Sequence, residues 1–231
     1  MPFKHNSASR CRKPTSHTRW VARLAATACF LGPAPLAAQE IAISYSIDIT
    51  SNYLAKGFTQ TEDRPAIQPY IEFAYGSVYL SLFASNARFG GVNDTEYDVG
   101  VGVRPSVGKL DLDIGFVQYF YRVDKADYGE AYVYANYDFS DDGHVGLKVW
   151  HEVYADYTTV YLHGGIGGLP WDMVLSGGVG SDFGSRDLSE DAVYADIGLT
   201  KGITDFAAID LRAIHSAIEG GRILATLSFF F

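Results

Sequence analysis

The chain has 231 residues, 48% of them hydrophobic, and 27 acids against 18 bases give a net charge of −9 at pH 7. That length fits one large domain or two small ones, and that apolar content excludes a disordered chain. The 24 Gly and 16 Tyr point to strands and tight turns rather than packed helices, and the acid excess excludes nucleic acid as a partner.

Residues 1–23 carry Lys4, Arg10, Arg12, Lys13, Arg19 and Arg23 and no acid. A short apolar run, Leu24 to Leu31, and a small-residue exit at Ala37-Ala38 follow. This order describes a secretory signal peptide spanning 1–38, cleaved near Ala38, and the run is too short to span a bilayer as a helix. Without it, 12 bases face 27 acids, a net of −15, and both cysteines, Cys11 and Cys29, are gone. The expectation is an exported, acidic, thiol-free domain over 39–231.

From residue 41 onward the pattern has period two. Ile41, Ile43, Tyr45, Ile47 and Ile49 alternate with small or polar residues. The same alternation runs through 96–104, 110–116 and 130–139, and more weakly through 67–75, 78–86, 144–153, 157–166, 171–180, 192–201, 206–216 and 222–231. Successive strand side chains point to opposite faces, so each segment has one apolar and one polar face. Twelve strands result, with no helix competing. Gly76-Ser77, Pro105–Gly108, Ser140–Gly143, Gly167–Pro170 and Gly202–Asp205 read as short turns. Residues 54–66, 87–95, 122–129 and 181–190 read as longer polar loops, with 154–156 and 217–221 as shorter members of that set. Long and short connections alternate, as in an up-and-down meander.

A soluble sandwich also alternates. Against it stand outward faces that are apolar along whole strands and aromatics near strand ends: Tyr53, Tyr75, Tyr97, Tyr119, Tyr121, Phe139, Tyr157, Trp171, Phe206 and Phe229. Girdles of this kind mark two lipid–water interfaces. Lipid offers backbone groups no hydrogen bonds, so such a sheet must close. The expected fold is all-β: a closed antiparallel transmembrane β-barrel of about 12 strands in the bacterial outer membrane, among lipid and lipopolysaccharide. The chain ends Ile223, Ala225, Leu227, Phe229 and Phe231 on one face, with Arg222, Thr226 and Ser228 on the other. Such an ending resembles the C-terminal signal read by the barrel assembly machinery, and assigns Phe229 and Phe231 to it.

The stretch Ser51 to Phe73, SNYLAKGFTQTEDRPAIQPYIEF, is more specific. It resembles the opening motif of the TorF family of porins: Asn52-Tyr53, then Lys56-Gly57 where the family's usual basic residue is Arg, Thr59-Gln60-Thr61, and Pro65-Ala66-Ile67-Gln68 leading into the second strand. The resemblance implies an outer-membrane location and a channel, and fixes no substrate. Lys56, Thr59, Gln60, Asp63 and Arg64 are candidates for an extracellular loop that constricts or covers the barrel mouth.

The alternation points Asp48, Glu72, Glu96, Asp98, Asp111, Asp113, Glu130, Asp138, Glu152, Asp196 and Asp210 inward with Arg104, Lys148, Arg212 and Arg222. Acids in excess on a low-dielectric wall concentrate cations. The expected function is passive diffusion of small hydrophilic solutes or ions, with weak cation preference. A barrel plugged by its own ion pairs is the alternative, and a lipid-modifying outer-membrane enzyme a further one. For the enzyme, His151, His163, Ser176 and Glu152 are the available groups, without a nucleophile-elbow motif. No cofactor, metal site or catalytic residue is expected. The loop acids Asp124, Asp127, Asp187, Glu190 and Asp191 read as solvated charges, and Ser140–His144 as a hairpin turn.

Overall fold

The computed structural model describes residues 40–123, 125, 127–184 and 193–231. The segment 1–38 expected to be a signal peptide and the loop acids Asp124, Asp187, Glu190 and Asp191 lie outside the described residues.

Twelve long strands form the wall: β1 (Ala42–Thr50), β2 (Ala66–Tyr75), β3 (Val78–Phe89), β4 (Val92–Val103), β5 (Leu110–Tyr121), β6 (Tyr128–Asp138), β7 (Gly143–Glu152), β8 (Tyr157–Leu169), β9 (Met173–Gly184), β10 (Val193–Thr204), β11 (Ala207–Ser216) and β12 (Gly220–Phe230). Each pairs antiparallel with its sequence neighbours, and β1 pairs with β12, so the sheet closes without an edge. Beyond the last strand residue, Tyr45 and Phe231 exchange backbone hydrogen bonds of 3.0 and 3.3 Å. Their rings stack at 5.1 Å, so Phe231 extends the seam. No α-helix occurs among the described residues.

The outward face is apolar. Ile43 and Ile47 on β1, Val99 on β4, Val133 on β6, Leu147 on β7, Leu162 on β8 and Leu211 on β11 are exposed. An apolar belt this continuous on a monomer is a surface to be covered. The inward face holds what a soluble protein would put outside: Glu72, Glu96, Asp98, Glu130, Glu152 and Arg212 are all buried.

Two expectations fail here. Residues 87–95 are not a long loop. β3 and β4 pair as far as Phe89 with Val92, and Gly90-Gly91 turns the chain with both φ positive, at 56° and 81°. Two glycines in that region are what a two-residue hairpin needs. The girdle assignment also fails for Tyr53, Tyr119, Tyr121 and Tyr157, which are buried inside. Tyr119 and Tyr121 share the parity of Asp113 on β5, so the pleat turns them inward. Tyr75, Tyr97, Phe139, Trp171 and Phe206 are exposed.

Candidate functional site: the barrel interior

Residues 51–65, between β1 and β2, fold back into the barrel rather than over it. Leu54 pairs with Thr59 and Ala55 with Phe58, which leaves Lys56 and Gly57 as the tip. Their φ values, 50° and 85°, are those of a two-residue type I′ turn. Gly57 is required twice over: its φ is left-handed, and a Cβ there would meet Tyr194 Cβ at 2.8 Å. The base of the hairpin is tied by Asn52. Its amide oxygen accepts from the Thr59 and Thr61 hydroxyls at 2.7 and 3.0 Å, and its nitrogen donates to Asp63 at 2.7 Å. Leu54 is buried with Ile214 and Leu224, so burial of apolar surface, about 25 cal/mol per Å², holds the hairpin against the β11–β12 wall.

The hairpin meets carboxylates at depth. Tyr53 Oη donates to Glu96 at 3.0 Å, and Tyr121 Oη to the other Glu96 oxygen at 3.1 Å. Lys56 Nζ donates to Glu130, which also accepts from Tyr119 Oη at 3.0 Å. Lys56 Nζ lies 5.4 Å from the Trp150 ring centre and 5.7 Å from that of Tyr157. At the mouth, Asp63 pairs with Arg222 at 2.5 Å and Glu62 with Arg88 at 2.8 Å. The Arg222 guanidinium, helped by Asn52, holds the Asp63 carboxyl below the usual carboxylate range. The Gly91 N–H and the Arg88 guanidinium do the same for Glu62.

Two arginine networks occupy the rest of the wall. Arg104 binds Glu72 through two bonds, 2.6 and 2.9 Å, and Asp113 through one of 2.9 Å, and stacks on Tyr79 at 3.8 Å. Arg212 binds Asp196, Asp210 at 3.2 Å and Ser176 at 2.9 Å. Tyr161 and Thr200 donate to the same two aspartates, at 2.6 and 2.7 Å. Glycines on the wall make room for the interior. Cβ atoms at Gly102, Gly115, Gly178 and Gly180 would lie within 2.4–2.7 Å of Tyr79, Tyr132, Tyr161 and Tyr194, so each tyrosine lies over a neighbouring strand's glycine.

Asp48 is half-buried on the inward face of β1, and Lys148 lies 5.4 Å from the Tyr134 ring centre. Glu152 is buried and accepts the N–H groups of Tyr154 and Ala155, closing its own loop. Asp111 and Asp138 are exposed beside the short turns, and Arg222 sits at the opposite mouth with Asp63 and Glu219. In the hairpin, Lys56 and Thr59 point into the network. The Gln60 side chain donates to the Phe58 carbonyl at 3.4 Å, and Arg64 is exposed. The sequence reading passed over Tyr53 and Leu54 as part of the constriction. Their signal was two large apolar side chains inside a polar loop. His151 and His163 are not brought together: His151 bonds Thr158 on the outward face, while His163 stacks on Tyr161 inside. Asp127 accepts the Tyr121 N–H at 3.0 Å, and no metal-binding cluster occurs among the described residues.

A closed meander with an apolar exterior, a charged interior and an inward-folded loop is a porin-like barrel. The KdgM porin superposes with a TM-score of 0.61 at 10% identity, covering 82% of this chain and 98% of that one. A KdgM porin in complex with disordered oligogalacturonate gives 0.60 at 10% identity over 82% and 98%. The NanC porin gives 0.57 at 11% identity over 82% and 99%. Residues 35–216 match the family described as "bacterial protein of unknown function (Gcw_chp)", and the chain belongs to that family. No curated protein matches it.

Proposed function

We propose that the protein is an outer-membrane channel of a Gram-negative bacterium, exported by its signal peptide, through which small hydrophilic solutes or ions diffuse passively with weak cation preference. The observation that carries this reading is the closed twelve-strand wall, apolar outside and lined inside with more acids than bases. The pairing refines it. Arg104 and Arg212 are each neutralised by two carboxylates, and Lys56 by Glu130. Glu96 accepts from the Tyr53 and Tyr121 hydroxyls, and no base pairs with it or with its neighbour Asp98 among the described residues. The negative potential therefore concentrates at Glu96, beside Asp98, and at the exposed Asp111 and Asp138. An interior of this sign disfavours polyanions such as the oligogalacturonate bound to KdgM. The TorF-like stretch, now the inward hairpin, supports the same reading, as does a C-terminal strand ending in the seam residue Phe231. Lipid, lipopolysaccharide and the assembly machinery are the partners this implies; no step calls for a cofactor or a catalytic residue.

The test is conductance of the refolded barrel in a planar bilayer, with reversal potentials in a KCl gradient. A cation-side reversal potential is expected at low salt, fading as the Debye length drops below about 10 Å at 0.1 M. E96Q/D98N should move it toward the anion side; an anion-side wild type would overturn the selectivity reading. The hairpin and its packed tyrosines favour a second reading, a structural barrel closed by residues 51–65. Absence of conductance in wild type, with conductance once residues 54–59 are deleted, would decide for it.

A further inference from the structure

We propose that the barrel interior contains a binding site for primary ammonium groups, formed by Glu130, Tyr119, Trp150 and Tyr157, and that Lys56 of the hairpin occupies it as a tethered competitor. Four consecutive strands build the site. Glu130 on β6 is fully buried and presents its carboxylate to the Lys56 ammonium. Tyr119 on β5 orients that carboxylate by donating to it at 3.0 Å. Trp150 on β7 and Tyr157 on β8 are nearly as buried, and their rings lie 5.4 and 5.7 Å from the nitrogen. A carboxylate and two aromatic faces around one nitrogen are what a desolvated ammonium needs. The ion pair supplies charge, and each ring face within about 6 Å adds a cation–π contact.

The wall supplies all four groups, and the hairpin supplies only the cation. Lys56 sits at a two-residue tip held in left-handed backbone by Gly57, so a local change at the tip withdraws it without unfolding the barrel. Three donors on a compact head distinguish the occupant from the planar guanidinium of arginine. The ligand class is therefore a short-chain primary amine in its ammonium form. Such a solute displaces Lys56 and loosens the hairpin. The inference uses the channel reading only for the route by which the amine arrives.

The experiment is calorimetric titration of refolded barrels in detergent with propylammonium chloride, and with sodium chloride as the control. Lys56→Ala removes the competitor and leaves room for the propyl stem. Saturable binding to K56A is expected, at least about tenfold tighter than to wild type, because a tethered group competes at an effective concentration of about millimolar or more. Adding Glu130→Gln to K56A should abolish it. Should K56A not refold, Lys56→Met keeps the stem volume, and bare ammonium ion replaces propylammonium as the probe. Equal affinities of wild type and K56A, no saturable binding to the lysine variant, or binding that survives E130Q would each overturn the proposal. Binding without conductance in the bilayer would defeat the channel reading alone; conductance without binding would defeat the ammonium site alone.

Discussion

Arg212→Met should cost the barrel about 3 kcal/mol. The Arg212 side chain is 9% exposed, and its partners Asp196 and Asp210 are 3% and 12% exposed. Removing the guanidinium leaves two aspartates facing one another with single hydroxyl donors, Tyr161 at 2.6 Å and Thr200 at 2.7 Å. Breaking a buried ion pair on one side typically costs about 3–5 kcal/mol, because the remaining charge is stranded. Partial access of water along the lumen puts this site at the lower end. Arg222→Met is the internal comparison: Asp63 is 59% exposed, so that loss should stay within about 1 kcal/mol. The assay is urea unfolding of refolded protein in micelles, followed by tryptophan fluorescence, with stability compared at unchanged m-value. Neutralising the whole network in R212M/D196N/D210N should return stability to within about 1 kcal/mol of wild type, since a neutral set strands no charge. If R212M loses no more than R222M, the lumen solvates these aspartates freely and the buried-network account is wrong.

Deleting Phe231 removes the ring stacked on Tyr45 and the last two backbone bonds of the seam, so less heat-modifiable barrel is expected in outer-membrane fractions; wild-type amounts would rule out an assembly role. Gly115→Ala should destabilise by about 1–3 kcal/mol through overpacking, because the added Cβ meets Val101 O at 2.4 Å, whereas Gly202→Ala meets nothing within 4 Å and should be near neutral in the same urea assay. The mouth anchors are pH-dependent. Asp63 and Glu62 have carboxyls lowered by Arg222 and by the Gly91 N–H, so their contribution is fully present above the ordinary carboxylate value and is lost as pH falls through the depressed one. A fluorophore on a cysteine placed at Gln60 should report hairpin loosening on acidification, and an unchanged signal in the D63N/E62Q protein; acid loosening that persists in that variant would assign it to other groups.

The wall was legible in the sequence because its signal is local. Period-two alternation needs only neighbours, and the strand positions from β1 to β12 follow from it, as does the inward parity of Asp98, Asp113, Glu130 and Arg212. Where the pattern was amphipathic on both faces, it misled. Tyr119 and Tyr121 suit a lipid interface by chemistry and the interior by parity. The pleat decided, because Val117, Tyr119 and Tyr121 fall on the same side of β5 as Asp113. The polarity of 87–95 predicts a loop, and the structure makes it a hairpin. Its Asn86–Thr95, Ala87–Asp94 and Arg88–Asn93 pairs form because Gly90-Gly91 can turn in two residues.

The interior partnerships were not legible, and the reason is distance along the chain. Lys56 reaches Glu130 and Tyr53 reaches Glu96 across the barrel interior, and Asp63 reaches Arg222 across the seam, closures that no local pattern encodes. Yet the hairpin left a trace. Asn52 ties Thr59, Thr61 and Asp63, and Lys56-Gly57 supplies the left-handed tip. The residues that carried the TorF resemblance are thus those that shape an inward fold and place one cation at its end. A loop that only covered the mouth would need neither a buried tyrosine nor a glycine pressed on Tyr194. That spacing is explained by the depth at which Lys56 meets Glu130.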